Sequence, residues 1–154
     1  MEQKTIVRAE DGKQDLFVSR EFDLPVAALF RAHVDPEIVS QWMGTKVLKL
    51  DGQSHGSYRF ETTDPRGQVH RFHGVIHALT PERKIVRTFE MENMPFGVQL
   101  EFLEFEPLSA ATSKLTMHMV YESVAQRDQV LKIGMVQGIN FAHNRLQTVA
   151  AKSI

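Results

Sequence analysis

The feature that most restricts the fold is the C-terminal stretch from Ser123 to Lys152, SVAQRDQVLKIGMVQGINFAHNRLQTVAAK, which contains no proline. Leu131, Met135, Gly138, Ala142, Leu146 and Val149 recur at intervals of three and four, the spacing of one apolar helix face. Ser123 followed by Gln126 resembles a capping box, in which each side chain satisfies a backbone N–H left unpaired at the helix start. At ~1.5 Å per residue, such a helix is roughly 40 Å long, enough to cross a small domain. A stripe of that length needs a broad surface to cover it. Gly134 and Gly138 lie four apart within it, and each costs about 1 kcal/mol relative to alanine inside a helix. Either something approaches that face closely or the face stays open.

The partner surface is legible between Thr45 and Ser123. Turn signals fall at Asp51-Gly52, Asp64-Pro65-Arg66-Gly67, Thr80-Pro81-Glu82, Pro95-Phe96-Gly97 and Pro107-Leu108-Ser109. Between them lie runs rich in β-branched and aromatic residues: TKVLKL, SYRFETT, VHRFHGVIHAL, KIVRTFEM, VQLEFLEF and SKLTMHMVYE. Tyr58 and Phe60 share one face of their run, as do Val98, Leu100 and Phe102, and Leu115, Met117, Met119 and Tyr121. Short alternating strands joined by tight turns predict an antiparallel meander with one covered face. The terminal helix is the cover.

Upstream, Thr5 to Ala9 and Leu16 to Phe22 read as strand segments around Glu10-Asp11-Gly12. Pro25 opens a short helical run, and Asp35-Pro36-Glu37 opens a second with an Asp cap, a first-turn proline and an acidic residue at the positive helix end. Gly44 ends it, just after Trp42. No linker or repeat interrupts the chain, so residues 1–154 are expected to form one α+β domain. The apolar content of 42% and net charge of −1 give no general attraction to nucleic acid or anionic membrane. The polar N-terminus is neither signal peptide nor anchor, no run approaches the ~20 apolar residues of a spanning helix, and cysteine is absent. These features suit a cytoplasmic protein.

Several short motifs, in order, resemble the SRPBCC (START-like) superfamily, in the branch of the C-terminal domain of the activator of heat-shock protein 90 ATPase. Arg20-Glu21-Phe22 with Pro25 is similar to its strand-to-helix entry, and Asp35-Pro36-Glu37 with Gln41-Trp42 to its "tDPe…W" segment. His55-Gly56-Ser57-Tyr58-Arg59-Phe60 resembles its Gly-rich strand start, with His55 where a second glycine is usual. His73-Gly74-Val75-Ile76 and Pro81-Glu82-Arg83-Lys84-Ile85-Val86 resemble "GxV…PxxxLV". Gly134-Met135 and Gly138 resemble the "GM…GW" of the last helix, with Ile139 in place of the tryptophan. The resemblance covers about residues 16 to 152. It implies a helix-grip (Bet v 1/START-like) fold, with two short helices after the first strand and a curved antiparallel sheet around the C-terminal helix. It also implies a cavity between them that in many relatives holds an apolar or amphipathic ligand.

The residue inventory favours binding over catalysis. His70 and His73 are three apart and fall on opposite faces of a strand, while His73 and His77 are separated by ~13 Å along one face. No cysteine or acidic cluster supplements them, so no metal or other cofactor is expected. His118 differs in parity from Met117 and Met119, so a solvent-face role stands at least level with an inward one. There is no nucleophile elbow, Walker loop or dinucleotide fingerprint. Glu101, Glu104 and Glu106 read as solvated neighbours, and the arginines are scattered, which argues against nucleic acid.

What remains is the apolar set. Trp42, Tyr58, Phe60, Phe72, Phe89, Met91, Leu100, Phe102, Met117, Met119, Tyr121, Met135, Gly138 and Phe141 are the candidate lining of a sheet–helix pocket. Simple core filling is the competing role for each. Tyr58, Arg59, Arg87 and Tyr121 are the polar groups suited to orient a ligand head group if they face inward. The expected function is binding or sensing of an apolar or amphipathic small molecule, as a monomer or homodimer. The alternatives are a polyketide cyclase/aromatase-like enzyme and a chaperone-interacting module of the stress response.

Overall fold

The computed structural model describes residues 4–154, so the first residues of the domain expected over 1–154 lie outside the described part. Residues with alternating polarity form the strands, and residues with helical spacing form the helices. In chain order these are β1 (Ile6–Arg8), β2 (Asp15–Phe22), α1 (Val26–Val34), α2 (Pro36–Met43), β3 (Lys46–Leu50), β4 (Ser57–Thr63), β5 (Val69–Thr80), β6 (Lys84–Met91), β7 (Val98–Pro107), β8 (Ser113–Val120), α3 (Val124–Lys132) and α4 (Met135–Ala151). The strands make one eight-stranded sheet in the order β1-β2-β8-β7-β6-β5-β4-β3, every neighbouring pair antiparallel. The register shifts in β3 between Val47 and Lys49 and in β5 between Ile76 and Ala78. Such irregularities add twist and bend the sheet.

The helices α1 and α2 carry the chain from β2 to the opposite edge, β3. Asp35 accepts from the Glu37 and Ile38 backbone N–H groups, at 3.0 and 3.5 Å, while Pro36 occupies the first turn. Gly44 then takes a left-handed φ of 61° and stops the helix. Both termini of α2 thus follow the local residue chemistry. Trp42 is buried between the two helices, its indole N–H donating to Ala32 O at 2.6 Å.

The C-terminal stretch is not one helix. Ser123 caps α3 as its sequence suggests, accepting from Gln126 N at 3.1 Å, but the return half of the capping box is missing because Gln126 Oε1 has no partner among the described residues. The chain then breaks at Ile133-Gly134, where Gly134 has φ 86° as the N-cap of α4. A left-handed φ costs an L-residue roughly 1–2 kcal/mol, so Gly134 is the joint between two helices. Gly138 is different. It sits in the first turns of α4, exposed, and a Cβ built on it would meet nothing within 4 Å. It neither admits the sheet nor opens space for a guest.

The two glycines should therefore respond in opposite senses to alanine. Gly134→Ala is expected to lower stability by about 1 kcal/mol because its φ is positive. Gly138→Ala is expected to raise it by up to about 1 kcal/mol through helix propensity alone. Urea midpoints of the two variants moving in opposite directions check this assignment.

The buried face of α4 does not include Gly138. Leu146 and Ala150 are fully buried, with Met135, Ile139 and Ala142 packed partly against the core. Polar residues fix the helix to the β1–β2 side of the sheet. Asn140 accepts from Thr5 N (3.2 Å), Asn144 from Arg20 Nη1 (2.6 Å) and Gln147 from Asp23 N (2.9 Å). The His143 Nδ1 lies 2.9 Å from Thr5 Oγ1. Arg145 adds a bond from Nη2 to Gln41 O on α2.

Candidate functional site

Strand parity sorts the side chains of the central strands into two faces. On β7, Glu101, Leu103 and Phe105 are buried, and their registered partners include Met119, Met117 and Leu115 on β8, themselves buried. On β6, Ile85 and Arg87 oppose Leu103 and Glu101. These rows face the helices. The sealed part of the interior lies towards β2 and β8, where Leu16, Val18, Phe22, Leu115, Met117 and Met119 are almost wholly buried. Towards β5 and β6 the interior is less closed. Phe72 and Phe89, stacked at 5.3 Å between centroids, are half-buried although they lie against the core, and so are Leu131, Met135 and Ile139 of the helices.

A polar cluster sits at the junction of these two regions. Arg87 Nε donates to Glu101 Oε1 at 2.8 Å, with side-chain exposures of 17% and 4%. Gln99 Nε2 donates to Glu101 Oε2 at 2.5 Å, so both carboxylate oxygens are engaged. The guanidinium carbon lies 5.7 Å from the centre of the Tyr58 ring. Burial opposes the charge on Arg87, but the Glu101 carboxylate and the Tyr58 phenol together hold the guanidinium above its ordinary pKa. Burial pushes the phenol pKa of Tyr58 and Tyr121 up, so both remain neutral donors.

Glycine shapes this cluster at one position. Tyr58 registers opposite Gly74 on β5, and its hydroxyl crosses that strand to donate to Thr88 O on β6 at 2.5 Å. A Cβ on residue 74 would stand 2.0 Å from Thr88 O and 2.6 Å from the Tyr58 hydroxyl. The missing side chain is the trough in which the tyrosine lies.

The expected lining residues separate into groups. Tyr58, Tyr121 and Phe60 are buried at the sheet interior, Phe72, Phe89 and Met135 pack half-buried against the core, and Met91 is half-buried on β6. Met91 pairs in register with Phe72. Trp42, Met117 and Met119 belong to the sealed core. Leu100 and Phe102 are on the other face, because β7 turns Glu101 and Leu103 inward. Phe102 lies under Lys84 Nζ at 5.8 Å and beside His118 at 5.8 Å. Phe141 is 64% exposed and Gly138 faces open space, so neither lines an interior. Arg59 also points outward, bonded twice to Glu92 at 2.9 Å.

Sequence reasoning missed Glu101, which it read as solvated, and Gln99. The signal was the i, i+2 continuity of Glu101 with Leu103 and Phe105.

The outer face carries its own features. Phe17 stacks on His118 at 4.2 Å, and His118 Nε2 lies 2.8 Å from Asp15 Oδ2, which puts that histidine on the outer face. A cleft of about 340 Å³ runs between Phe17, Lys84, Phe102, Glu104, Thr116 and His118. A second of about 340 Å³ lies beside the β1–β2 turn, from Arg8 to Phe17. His73 is held between Glu90 and Glu92, both at 3.1 Å, and His70 pairs with Asp64 at 2.9 Å. Among the described residues no helix is long and apolar enough to cross a membrane.

A curved antiparallel sheet, two short helices inserted after β2 and a C-terminal helix against the concave side define a helix-grip domain. The family model for "Activator of Hsp90 ATPase homolog 1-like protein" matches residues 23–151, and the chain belongs to that family. Solved structures agree on the fold. A protein from Arthrobacter aurescens is similar with a TM-score of 0.86 at 18% identity, over 96% of this chain and 91% of that one. A protein from Mycobacterium smegmatis gives a TM-score of 0.85 at 20% identity, over 98% and 99% of the two chains. One from Chromobacterium violaceum gives 0.75 at 23% identity, over 88% and 96%. No curated protein sequence matches the chain.

Proposed function

We propose that the protein binds an apolar or amphipathic small molecule on the concave face, between β4–β7 and the α3–α4 segment. The single observation that carries this reading is the Arg87–Glu101 pair, set inward on central strands and bordered by half-buried aromatic rings. A buried ion pair is a poor way to stabilise a fold, because desolvation offsets most of its attraction. A few polar groups converging on an apolar surface are how small-molecule sites fix the orientation of a ligand. The half-buried Phe72 and Phe89 supply the apolar part, and Met135 gives it an adaptable edge.

Titration with the neutral fluorophore N-phenyl-1-naphthylamine tests the reading. The expected result is saturable fluorescence enhancement that Gln99→Trp abolishes by filling the concave side, while Phe102→Ser on the outer face leaves it unchanged. A saturating apolar ligand should also add about 2.7 kcal/mol at ~100 times its dissociation constant, visible as a higher melting temperature. No enhancement, or loss on Phe102→Ser instead, would exclude the concave site.

A further inference from the structure

We infer that Glu101 sets the head-group selectivity of the concave site, so that an uncharged hydroxyl or carbonyl group is taken in preference to an acid or an amine. The inference rests on the ligand-binding reading above. Glu101 accepts from Arg87 Nε on one oxygen and from Gln99 Nε2 on the other. It is only 4% exposed, so a ligand has no access to its remaining lone pairs. Arg87 differs. It has five N–H donors, only Nε has a hydrogen-bond partner among the described residues, and the side chain keeps 17% of its surface accessible. Among the described residues the Tyr121 hydroxyl donates to the Met119 sulfur at 3.7 Å, a weak acceptor easily exchanged.

The Arg87–Glu101 pair therefore offers donors to an acceptor oxygen while its net charge is zero. A lone arginine there would choose acids. With Glu101 bonded to it, a ligand carboxylate reaching Arg87 would meet a like charge in a low-dielectric surrounding. A ligand ammonium would face Arg87 and find the Glu101 carboxylate buried behind Arg87 and Gln99. A hydroxyl or carbonyl meets neither penalty. Glu101 thus acts by repelling wrong head groups more than by holding the right one.

The test is displacement of N-phenyl-1-naphthylamine at neutral pH by three compounds that share one ring system: 2-naphthalenemethanol, 2-naphthoate and 2-naphthylmethylammonium. On the unaltered chain the alcohol should displace the dye at about tenfold lower concentration than either ion. Glu101→Gln keeps an acceptor for Arg87 and removes the charge, so naphthoate should improve about tenfold and draw level with the alcohol. Gln99→Leu frees Glu101 Oε2 and should improve the ammonium compound instead. Equal displacement by the three compounds on the unaltered chain, or an unchanged rank for naphthoate on folded Glu101→Gln, overturns the inference. If that variant does not fold, the ranking on the unaltered chain and the response of Gln99→Leu decide it. Dye binding without head-group ranking would leave the ligand-binding reading standing and remove this one, whereas absence of dye binding removes both.

Discussion

Lowering the pH from about 7.5 to about 4.5 is expected to remove roughly 5 kcal/mol of folding stability, through two histidines that the fold keeps neutral. His33 is buried under α1 and its pKa is lowered to about 4. Burial is the main cause, with Arg87 adding to it, and the hydrogen bond to Leu29 O works the other way. His143 on α4 is lowered to about 3 by burial, then by His33 and Arg20. Each ring has aromatic neighbours: His33 lies 5.2 Å from Phe105 and 5.5 Å from Trp42, and His143 lies 5.6 Å from Phe22.

The sign follows from proton binding. Below its ordinary pKa of about 6.5 an unfolded histidine takes up a proton that the folded one refuses, so the unfolded state gains. Stability is complete above that value and falls as the pH drops towards the folded values. Each histidine contributes about 2–3 kcal/mol at pH 4.5, a large part of a typical domain's total. Urea titrations between these pH values should show the midpoint falling throughout the window. His33→Gln keeps a donor for Leu29 O without the titration, and should lose about half of the slope. A flat profile down to pH 5 would mean that the two rings are solvated.

Much of the fold was legible because strand polarity and turn chemistry agreed. β4, β6 and the caps of α2 follow from SYRFETT, KIVRTFEM and Asp35-Pro36…Gly44 with little ambiguity. The terminal helix was legible in extent but not in continuity. A glycine inside a helical pattern costs too little to announce a break, and only the backbone shows that Gly134 is left-handed while Gly138 is helical. The site was misread at β7 for a different reason. Val98, Leu100 and Phe102 form the more apolar row at the start of that strand, so hydrophobicity alone turns them inward. The fold instead buries Glu101 in line with Leu103 and Phe105. A local rule broken at the centre of a sheet is where function is expected to show. The opposite parity left Phe102 beside Phe17 and His118 on the outer face, where cross-strand packing accounts for it.

The largest single-site effect is expected at Arg87. Arg87→Met removes the partner of a carboxylate that is 4% exposed on a central strand. Leaving a buried charge unpaired costs about 3–5 kcal/mol, whereas replacing both partners by apolar groups is often neutral or stabilising. Glu101→Leu alone should cost less, because the guanidinium end of Arg87 still reaches accessible surface. The double variant Arg87→Met with Glu101→Leu should recover most of the loss, and a double-mutant cycle on urea unfolding measures the coupling. Recovery of the fold together with loss of N-phenyl-1-naphthylamine displacement by 2-naphthalenemethanol would separate the two roles of the pair. If the double variant stays as unstable as Arg87→Met, the pair holds the sheet together and its place on the concave face has a structural cause. If stability returns while head-group recognition is gone, the ion pair exists for the ligand, and the sheet carries a buried polar cluster that its own packing does not need.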